Sequence, residues 1–444
     1  MSDSTVPFLR DPAFRQLLQD VRQTDNWRNW WYIARTWLFL AAVIAAAVAG
    51  MEWIAASGIG WGWSVLVAVP AIVLIGAGQH HLGVLGHEGS HRTLFRNRWL
   101  NELASDWLCM FPIFSATYMY RLQHLAHHQF VNDPDRDPNV VQMRSTDTWP
   151  DGPMTPRQVV LYVLRLFWLP QLLRFLSPRI RDNSMGGDHD VYRPADGPAP
   201  PSWPRKFGAA SILALLGLNV WLAYRGDAAL LAIVPTTVWL VALAVFAWLP
   251  ERMYYRSRVR PEFSMRSLTI QRFVFYFAVF HGLAWVMLLT GVPALVYFLV
   301  LWMGSLLTAF PLYLVLRQLV QHGNGGRGRL DNTRVFLRPV TVNFFLLPLG
   351  QDYHLPHHLF ASVPHYRLRR LHEAMLVYPD YKSVAVEVDG LIHPPAGTGR
   401  RSIVGALGDT PAGAEEKFID SSVLDEYQVE ERDAIRAEEK ASAS

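Results

Sequence analysis

The sequence predicts an all-α integral membrane protein of about six transmembrane helices, paired as three hairpins and joined to a cytosolic, histidine-rich helical cap. Three observations support this prediction. The 444 residues are 51% hydrophobic and only 18% charged, whereas an average soluble domain is about 25% charged. Six apolar stretches are each long enough to cross about 30 Å of hydrocarbon. Lysine and arginine lie only in the segments outside these stretches.

The predicted spans form three tight pairs, because the connections near Gly58, Asp227 and Pro293 are short. None of the spans contains lysine or arginine. Their predicted bounds are 37–56, 61–82, 207–224, 228–249, 273–290 and 294–316. The stretch 159–175 is also apolar but contains two arginines, so we predict that it is a helix lying in the membrane interface.

The basic residues predict the orientation of the spans. Of the 41 lysines and arginines, only Arg225 lies in a short hairpin connection. By the positive-inside rule, both termini, the long loops and the histidine motifs are expected in the cytosol. Arginine-rich runs contribute to the pI of about 9.1 and would face anionic lipid. The apolar composition argues against a nucleic-acid partner.

We divide the chain into three parts. Residues 1–36 are predicted to be a cytosolic N-terminal segment and residues 37–396 a membrane domain. Residues 397–444, which alternate small and charged side chains, are predicted to be a mobile cytosolic tail. No signal peptide is predicted, since the first apolar run begins only at Trp37. The single cysteine, Cys109, excludes an intrachain disulfide and a cysteine-ligated cluster.

Eight of the sixteen histidines fall in three five-residue windows. The windows read HEGSH at 87–91, HLAHH at 124–128 and HLPHH at 354–358. Positions i, i+3 and i+4 of a helix share one face, so the rings of the first two windows can each point at one centre. In the third window Pro356 favours a helix that begins near His357, with His354 approaching from the preceding loop. The histidines concerned are His87, His91, His124, His127, His128, His354, His357 and His358.

Such clustering predicts metal binding. Protonated imidazoles grouped near a bilayer repel one another and are costly to desolvate, whereas neutral rings can bind a metal ion. Imidazole suits Zn, Cu, Fe and Ni. A single tetrahedral zinc takes about four ligands, so eight histidines suit two metal ions. Two adjacent redox metals in a membrane protein indicate oxygen activation on an apolar substrate.

These windows resemble the histidine boxes of the membrane-bound fatty acid desaturase and hydroxylase superfamily, which hold a non-haem di-iron centre. The resemblance covers roughly residues 76–379 and includes DPDRDP at 133–138 and LFASVPHY at 359–366. It implies that all eight box histidines are iron ligands, with two Fe ions as cofactor and O2 as co-substrate. The implied reaction is desaturation of a fatty acyl chain on a lipid, CoA or acyl carrier protein, using two external electrons.

The resemblance also implies further site residues. The superfamily often uses one more histidine at the cytosolic end of the last span, and His322 occupies that place. Gln318, one turn earlier on the same face, is a candidate to hold a metal-bound water. His80 and His81 compete with His322 for the ninth position, although we favour a polar rim at the membrane surface for this pair.

Three aspartates follow the second box and have two possible roles. Asp133, Asp135 and Asp137 can accept hydrogen bonds from imidazole N–H groups and thereby orient the ligands. They can equally form a turn, because the segment carries Asp-Pro signals. Both interpretations stay open at this stage.

The remaining histidines of interest are assigned no metal. His281 lies in the middle of a span and is expected to be a packed histidine or a hydrogen-bond partner. His365 and His372 belong to a basic helix predicted at 364–378, and are expected to face solvent or lipid headgroups.

The electrons are expected from a separate donor such as ferredoxin. No haem domain of the cytochrome b type is apparent, and no cysteine pair could hold an iron–sulfur cluster. A basic cytosolic surface would suit an acidic redox partner.

Other functions compete with desaturation. A lipid or carotenoid hydroxylase or ketolase of the same superfamily would share the box spacing. HEGSH also matches the HExxH motif of zinc proteases, with Glu88 as general base and Asp331 near a possible third ligand, which would give an intramembrane protease. That reading leaves the other two windows unexplained. A metal transporter is disfavoured by the scarcity of charged side chains within the spans.

Overall fold

A computed structural model describes most of the chain as helix. The described residues are 8, 11–150, 152–186, 190–194, 200–337, 340–394 and 396–408. Within them the only sheet is one pair of three-residue strands. The predicted all-α membrane fold is confirmed, and this protein is a multi-pass membrane protein.

The elements are named in chain order. The first eight helices are α1 (Pro12–Arg22), α2 (Arg28–Ser57), α3 (Val65–Ser90), α4 (Arg98–Ser105), α5 (Thr117–Gln129), α6 (Pro138–Ser145), α7 (Pro156–Leu166) and α8 (Leu169–Met185). The next six are α9 (Trp203–Arg225), α10 (Ala228–Trp248), α11 (Met265–Thr290), α12 (Ala294–Tyr297), α13 (Gly304–Leu307) and α14 (Ala309–His322). The last elements are β1 (Val335–Leu337), α15 (Val340–Phe345), α16 (His354–Leu359), α17 (Leu368–Met375), α18 (Pro379–Val384), β2 (Glu387–Asp389) and α19 (Ile403–Gly408).

Six helical segments are long and apolar enough to cross a membrane, and each corresponds to one predicted span. They are Arg28–Ser57, Trp61–Ser90, Trp203–Arg225, Ala228–Trp248, Met265–Thr290 and Ala294–His322. Two of them extend beyond the predicted C-terminal ends at residues 82 and 316, because polar residues continue the helical hydrogen bonding past the apolar stretch. These two extensions carry part of the first histidine window and His322.

The predicted interfacial helix at 159–175 is wrong in one respect, because the segment forms two helices. The axes of α7 and α8 meet at 78°. Trp168, which precedes α8, is extended with ψ 104°, and Pro170 then lies in the first turn of α8, where its missing N–H leaves no helical bond unmade. Helix α8 packs against α5, α6 and α14. It is therefore part of the scaffold around the histidine windows.

The chain divides into two compact units. The first contains residues 1–39, 76–191 and 307–444, and the second contains residues 40–75 and 192–306. All three histidine windows lie in the first unit. In the second unit α9, α10 and α11 pack against one another in all three pairings.

Polar contacts lie at two places inside the apolar second unit. The Nδ1 atom of His281 is 2.9 Å from Oδ1 of Asn219, and Trp285 donates its indole N–H to the other ring nitrogen of His281. The expected packed and hydrogen-bonded His281 is therefore confirmed. Glu52 is an acidic residue within the first span, and the hydroxyl of Tyr297 donates to it at 2.5 Å. A hydrogen bond of this kind lowers the cost of burying a polar group in an apolar setting.

One hydrophobic core of the first unit joins distant parts of the sequence. Phe14, Leu18 and Val21 of α1 are buried in the same cluster as Leu355 and Leu359 of α16. The N-terminal segment is thus packed against the helix that carries the third histidine window. Burial of this apolar surface holds α16 in place from one side.

A second core of the first unit involves the start of the predicted tail. Strands β1 and β2 pair in parallel, and α19 contributes Ile403, Ala406 and Leu407 to a buried cluster that includes Leu319 of α14. Helix α19, which lies within the predicted tail, is therefore packed, whereas residues 397–399 are exposed. Residues 409–444 of that prediction lie outside the described residues.

Candidate metal centre

Nine buried histidines form two groups in the first unit. The ligand nitrogens within each group all lie within 4.8 Å of one another. The first group contains His87, His91, His124, His128 and His357, and the second contains His127, His322, His354 and His358. The nine are the eight histidines of the three windows together with His322. The structure therefore brings all of the proposed ligands together and divides them five to four.

The spacing of the ring nitrogens suits metal ligation. Two nitrogens that each lie about 2.1 Å from one ion, at a right angle, are about 3 Å apart. In the structure the Nε2–Nε2 separations are 3.0 Å for His124–His128, 3.1 Å for His128–His357, 2.9 Å for His322–His354 and 3.1 Å for His354–His358. Two facing imidazole nitrogens can share only one proton, so five or four rings converging on a point leave lone pairs that a cation would satisfy.

The electrostatics of the centre favour the neutral form of the rings. Burial, followed by repulsion from neighbouring imidazoles, holds the pKa of most of the histidines outside the spans well below the usual value. For His357 burial again dominates, although the carboxylate of Glu88 opposes it by raising the pKa. Neutral imidazole is the form that binds metal. The buried donor set therefore fits one or two metal ions of the imidazole-binding class.

Helix geometry explains the first two windows. His87 is in the last turn of α3 and the backbone N–H of His91 still bonds to the carbonyl of His87, so the two rings share one face. Gly89 lies between them because a Cβ there would sit 2.1 Å from Oγ of Ser105. On α5, the three histidines of the second window are buried, and so are most of the other residues of this helix.

The third window differs from the prediction. His354 is the first residue of α16 rather than part of the preceding loop, and Tyr353 is the N-cap residue. Pro356 follows in the first turn, where the absence of a backbone N–H is tolerated. The helix therefore begins three residues earlier than expected, which places His354 and His358 one turn apart and on the same face.

The three aspartates after the second box have different roles. Asp137 is fully buried, and its carboxylate lies 2.9 Å from Nδ1 of His127. It also accepts backbone N–H groups from Asn132 and Asn139. Asp137 therefore orients the ring of His127, which is a member of the four-histidine group.

Asp133 does not have the predicted contact with a histidine. Its carboxylate accepts the backbone N–H groups of Asp135 and Arg136 and the guanidinium of Arg136. Among the described residues the carboxylate of Asp133 closes a turn, and Asp135 takes part through its backbone. The turn interpretation holds for these two aspartates because the carboxylates follow the local Asp-Pro geometry.

Replacing Asp137 with asparagine is expected to weaken metal binding about 10–100-fold, because an amide can present an N–H to Nδ1 of His127 and so change its tautomer and orientation. Asp133→Asn is the matched control, since Asp133 contacts Arg136 and no imidazole. Metal affinity, measured by competition with a chelator, should fall in the first variant only. Equal affinities in both variants would contradict the role of Asp137.

His80 and His81 were the alternatives to His322 as the ninth ligand. Neither belongs to one of the two histidine groups. The ring of His80 lies 3.1 Å from the carbonyl oxygen of Phe345, and that of His81 lies 2.8 Å from the carbonyl oxygen of Phe344. Both rings are buried, so the polar rim expected at the membrane surface is wrong. His322 instead belongs to the second group, with Nδ1 3.2 Å from the carbonyl oxygen of Asn332.

His365 and His372 are also buried, contrary to the expected solvent-facing helix. The ring of His365 contacts Oδ1 of Asn29, and its backbone N–H donates to Glu88. The ring of His372 lies 2.8 Å from the hydroxyl of Tyr381. The sequence pattern missed these contacts because Asn29 and Glu88 are distant in sequence from His365, and Tyr381 lies on the next helix after His372.

The zinc protease geometry is not formed. Glu88 accepts hydrogen bonds from His365 and from the hydroxyl of Thr93. His87 and His91 converge with three histidines of other windows. Asp331, the suggested third ligand, belongs to neither group among the described residues.

Arg121 is a residue whose importance the sequence analysis missed. It is fully buried and pairs with Glu102, while its Nε donates to the carbonyl of Ser90 at 2.7 Å and its Nη2 to that of Gly89 at 2.9 Å. It therefore joins α5 to the end of α3. One feature of the sequence could have indicated its importance, because Arg121 lies one turn before His124 on the same helix.

A small cavity of about 20 Å³ adjoins the two groups. Four of the nine histidines line it, together with Tyr120, Arg179, Arg317 and Gln318 and three further amide side chains. Gln318, the predicted water-holding residue, is thus beside the centre. A cavity of this size holds about one or two waters.

Comparisons with known proteins point to one family. A family model described as fatty acid desaturase matches residues 62–257 and 250–386, which is well over half of the chain. The chain is 26% identical over 147 residues to dihydrorhizobitoxine desaturase of Bradyrhizobium elkanii, which is 33% of this chain and 37% of that protein. It is 27% identical over 116 residues to the sn-1 oleoyl-lipid 12-desaturase of a Picosynechococcus strain, 26% of this chain and 32% of the relative.

A third relative is named for its electron donor. The sn-1 acyl-lipid omega-3 desaturase (ferredoxin) of a Nostoc strain is 25% identical over 144 residues, 32% of this chain and 38% of the relative. The chain thus matches about a third of the length of each of these relatives.

Proposed function

This chain belongs to the fatty acid desaturase family, and from that premise we propose that it is an O2-dependent desaturase of fatty acyl chains with two iron ions held by its nine clustered histidines. The observation that carries the proposal is the pair of buried histidine groups, which unite the three distant windows with His322. A family match alone would be weaker support, because it does not test whether the ligand nitrogens meet in this chain.

The residues present suit a di-iron centre. The five-histidine and four-histidine groups offer more ligands than one ion takes, and imidazole is a good ligand for iron. In the proposed arrangement Gln318 lies beside the histidine groups, and Asp137 keeps His127 oriented. Bound iron would supply the oxidising power, with O2, that removal of hydrogen from an unactivated C–H bond requires.

The overall reaction is balanced by one O2, two electrons and two protons. The group CH2–CH2 becomes CH=CH, and the O2 leaves as two molecules of water. The chain's own contribution is to hold the two carbons of the substrate in one position and to keep bulk water away. Burial of all nine histidines is in keeping with that second task.

We propose an acyl chain esterified in a membrane lipid as the substrate. The names of the Picosynechococcus and Nostoc relatives give acyl-lipid as their substrate. A protein with six candidate spans can take such a chain directly from the bilayer.

We further propose that the electron donor is a separate ferredoxin-like protein, and that both termini and the histidine groups face the cytosol. The Nostoc relative's name supports ferredoxin, and the one cysteine of this chain cannot hold an iron–sulfur cluster. The placement of nearly all lysines and arginines outside the hairpin connections supports the orientation.

The proposal is tested by lipid profiling of cells that express the protein. Total lipids are hydrolysed, and the fatty acids are analysed by mass spectrometry with double-bond location. We expect a new unsaturated acyl chain that is absent from cells carrying the empty vector and from cells expressing His127→Ala. New hydroxyl or keto groups in place of a double bond would replace desaturation with hydroxylation or ketolation. No new product, despite folded and iron-loaded protein, would refute the assigned reaction.

A further inference from the structure

We propose that the cavity beside the two histidine groups binds a small oxyanion of the carboxylate class, held by Arg317, Gln318, Tyr120 and Arg179. All four side chains line this one cavity. The inference concerns a ligand other than the metal and goes beyond the proposed desaturation.

Two donors in the cavity have no protein partner. Arg317 is only 9% exposed, and its Nε atom has no hydrogen-bond partner among the described residues. Gln318, the next residue of α14, is 6% exposed, and its Nε2 is likewise without a partner in the described part of the chain. A buried donor left unsatisfied costs about 1–3 kcal/mol, and more when it is charged. A bound acceptor would remove this cost.

Tyr120 adds a third donor. Tyr120 lines the same cavity as Arg317, and its hydroxyl can donate a hydrogen bond to a ligand. The Tyr120 ring stacks on His124, with centroids 5.2 Å apart and planes 15° apart. This stacking fixes the tyrosine beside the five-histidine group.

The charge of the cavity points to an anion. Two guanidinium groups line it, and none of its lining residues is aspartate or glutamate. Arg179 donates to two neutral amide oxygens, those of Gln142 and Asn139, each at 2.8 Å. The carboxylate of Asp137 is already bound to His127. Asp182, the other carboxylate near Arg179, pairs with Arg181 at 2.9 Å. Two guanidinium groups therefore line the cavity, whereas no acidic side chain belongs to its lining.

The size of the cavity admits a carboxylate group. Its volume is about 20 Å³, whereas one water needs about 10–15 Å³. The two oxygens of a planar carboxylate or bicarbonate fit that space, and carboxylates match the donor geometry of arginine. Two divalent ions on neutral imidazoles would add further positive charge. Only this last argument rests on the proposed function.

The binding test uses formate, the smallest carboxylate, with full-length protein purified in detergent. Titration with [13C]formate is followed by NMR, both with the metal bound and after treatment with a chelator. We expect saturable binding with a dissociation constant on the order of 1 mM. Arg317→Gln should weaken it at least about 10-fold, the loss expected for one charge-assisted hydrogen bond.

Two further variants keep the test decisive. Gln318→Glu adds a negative charge to the cavity with little change of shape and should also abolish formate binding, so the proposal remains testable if Arg317→Gln fails to fold. Arg369→Gln is the matched control, because Arg369 is exposed and pairs with Glu373 on the surface. It should bind formate like the unaltered protein.

Competition separates the two sources of such an anion. Displacement of formate by a free fatty acid, but not by its methyl ester, would identify the carboxylate end of a lipid, whereas displacement by bicarbonate alone would identify a free small anion. Formate binding that is absent in the unaltered protein, or unchanged in both cavity variants, overturns the proposal and leaves a cavity that holds only water. Either failure is independent of lipid profiling, which tests the proposed desaturation.

Discussion

Replacing His128 with alanine is expected to lower the iron content from about two ions per chain to fewer than one. His128 is central, since its Nε2 lies 3.0 Å from that of His124 and 3.1 Å from that of His357. Its ring also stacks on His358 of the second group, with centroids 4.2 Å apart. Removal of this ring withdraws a proposed ligand from one group and a packing partner from the other. Unsaturated product should fall at least about 100-fold, beyond the loss typical of residues that only orient ligands.

The iron content of His128→Ala is measured by elemental analysis of protein purified without added chelator. His393→Ala is the matched control, because His393 is exposed and belongs to neither group. The control should keep its iron and its product. If His128→Ala retained two irons per chain, the five-histidine group would not be a metal site.

Replacing Arg121 with methionine is expected to destabilise the protein by about 3–5 kcal/mol, the cost of leaving one member of a buried ion pair without its partner. Arg121 is fully buried and Glu102 is 3% exposed. The change also removes the donors to the carbonyls of Gly89 and Ser90, at the end of the helix that carries His87. Iron content should therefore fall together with stability.

The stability of Arg121→Met is measured as the free energy of unfolding in a mixed-detergent titration. Arg369→Met is the surface control, since the ion pair of Arg369 with Glu373 is exposed and should contribute less than about 1 kcal/mol. Adding Glu102→Leu to Arg121→Met should restore part of the lost stability, because it removes the buried carboxylate that has lost its partner. A single variant no less stable than the control would show that Arg121 does not hold α5 to α3 and α4.

The buried acids near this pair show how strongly the first unit is desolvated. Burial, followed by repulsion from Glu102, raises the pKa of Asp106 to about 7. Asp106 also accepts the backbone N–H of Thr117 at 2.7 Å, at the start of α5. The helix that bears the second histidine window is therefore held by polar contacts at its first residue and, through Arg121, in its middle.

The local features of the protein could be predicted from the sequence. The six spans follow from runs of apolar residues, whose burial in lipid depends on length and composition alone. The shared face of His87 and His91, and that of the second window, follow from the 3.6-residue period of the helix. His322 was found through a family resemblance, since nothing local distinguishes it from His80 and His81, which bind backbone carbonyls instead.

Only the tertiary structure decided how those features combine. The division of nine histidines into groups of five and four and the burial of His365 depend on contacts between segments far apart in the chain. The choice of Asp137 over Asp133 depends on how the turn between α5 and α6 folds back onto His127. The buried arginines beside the centre were missed for the same reason, because a charged residue in a sequence does not reveal which distant carbonyls or carboxylates will compensate it. Periodicity describes which residues share a face, whereas the partner of that face is set by packing across the whole chain.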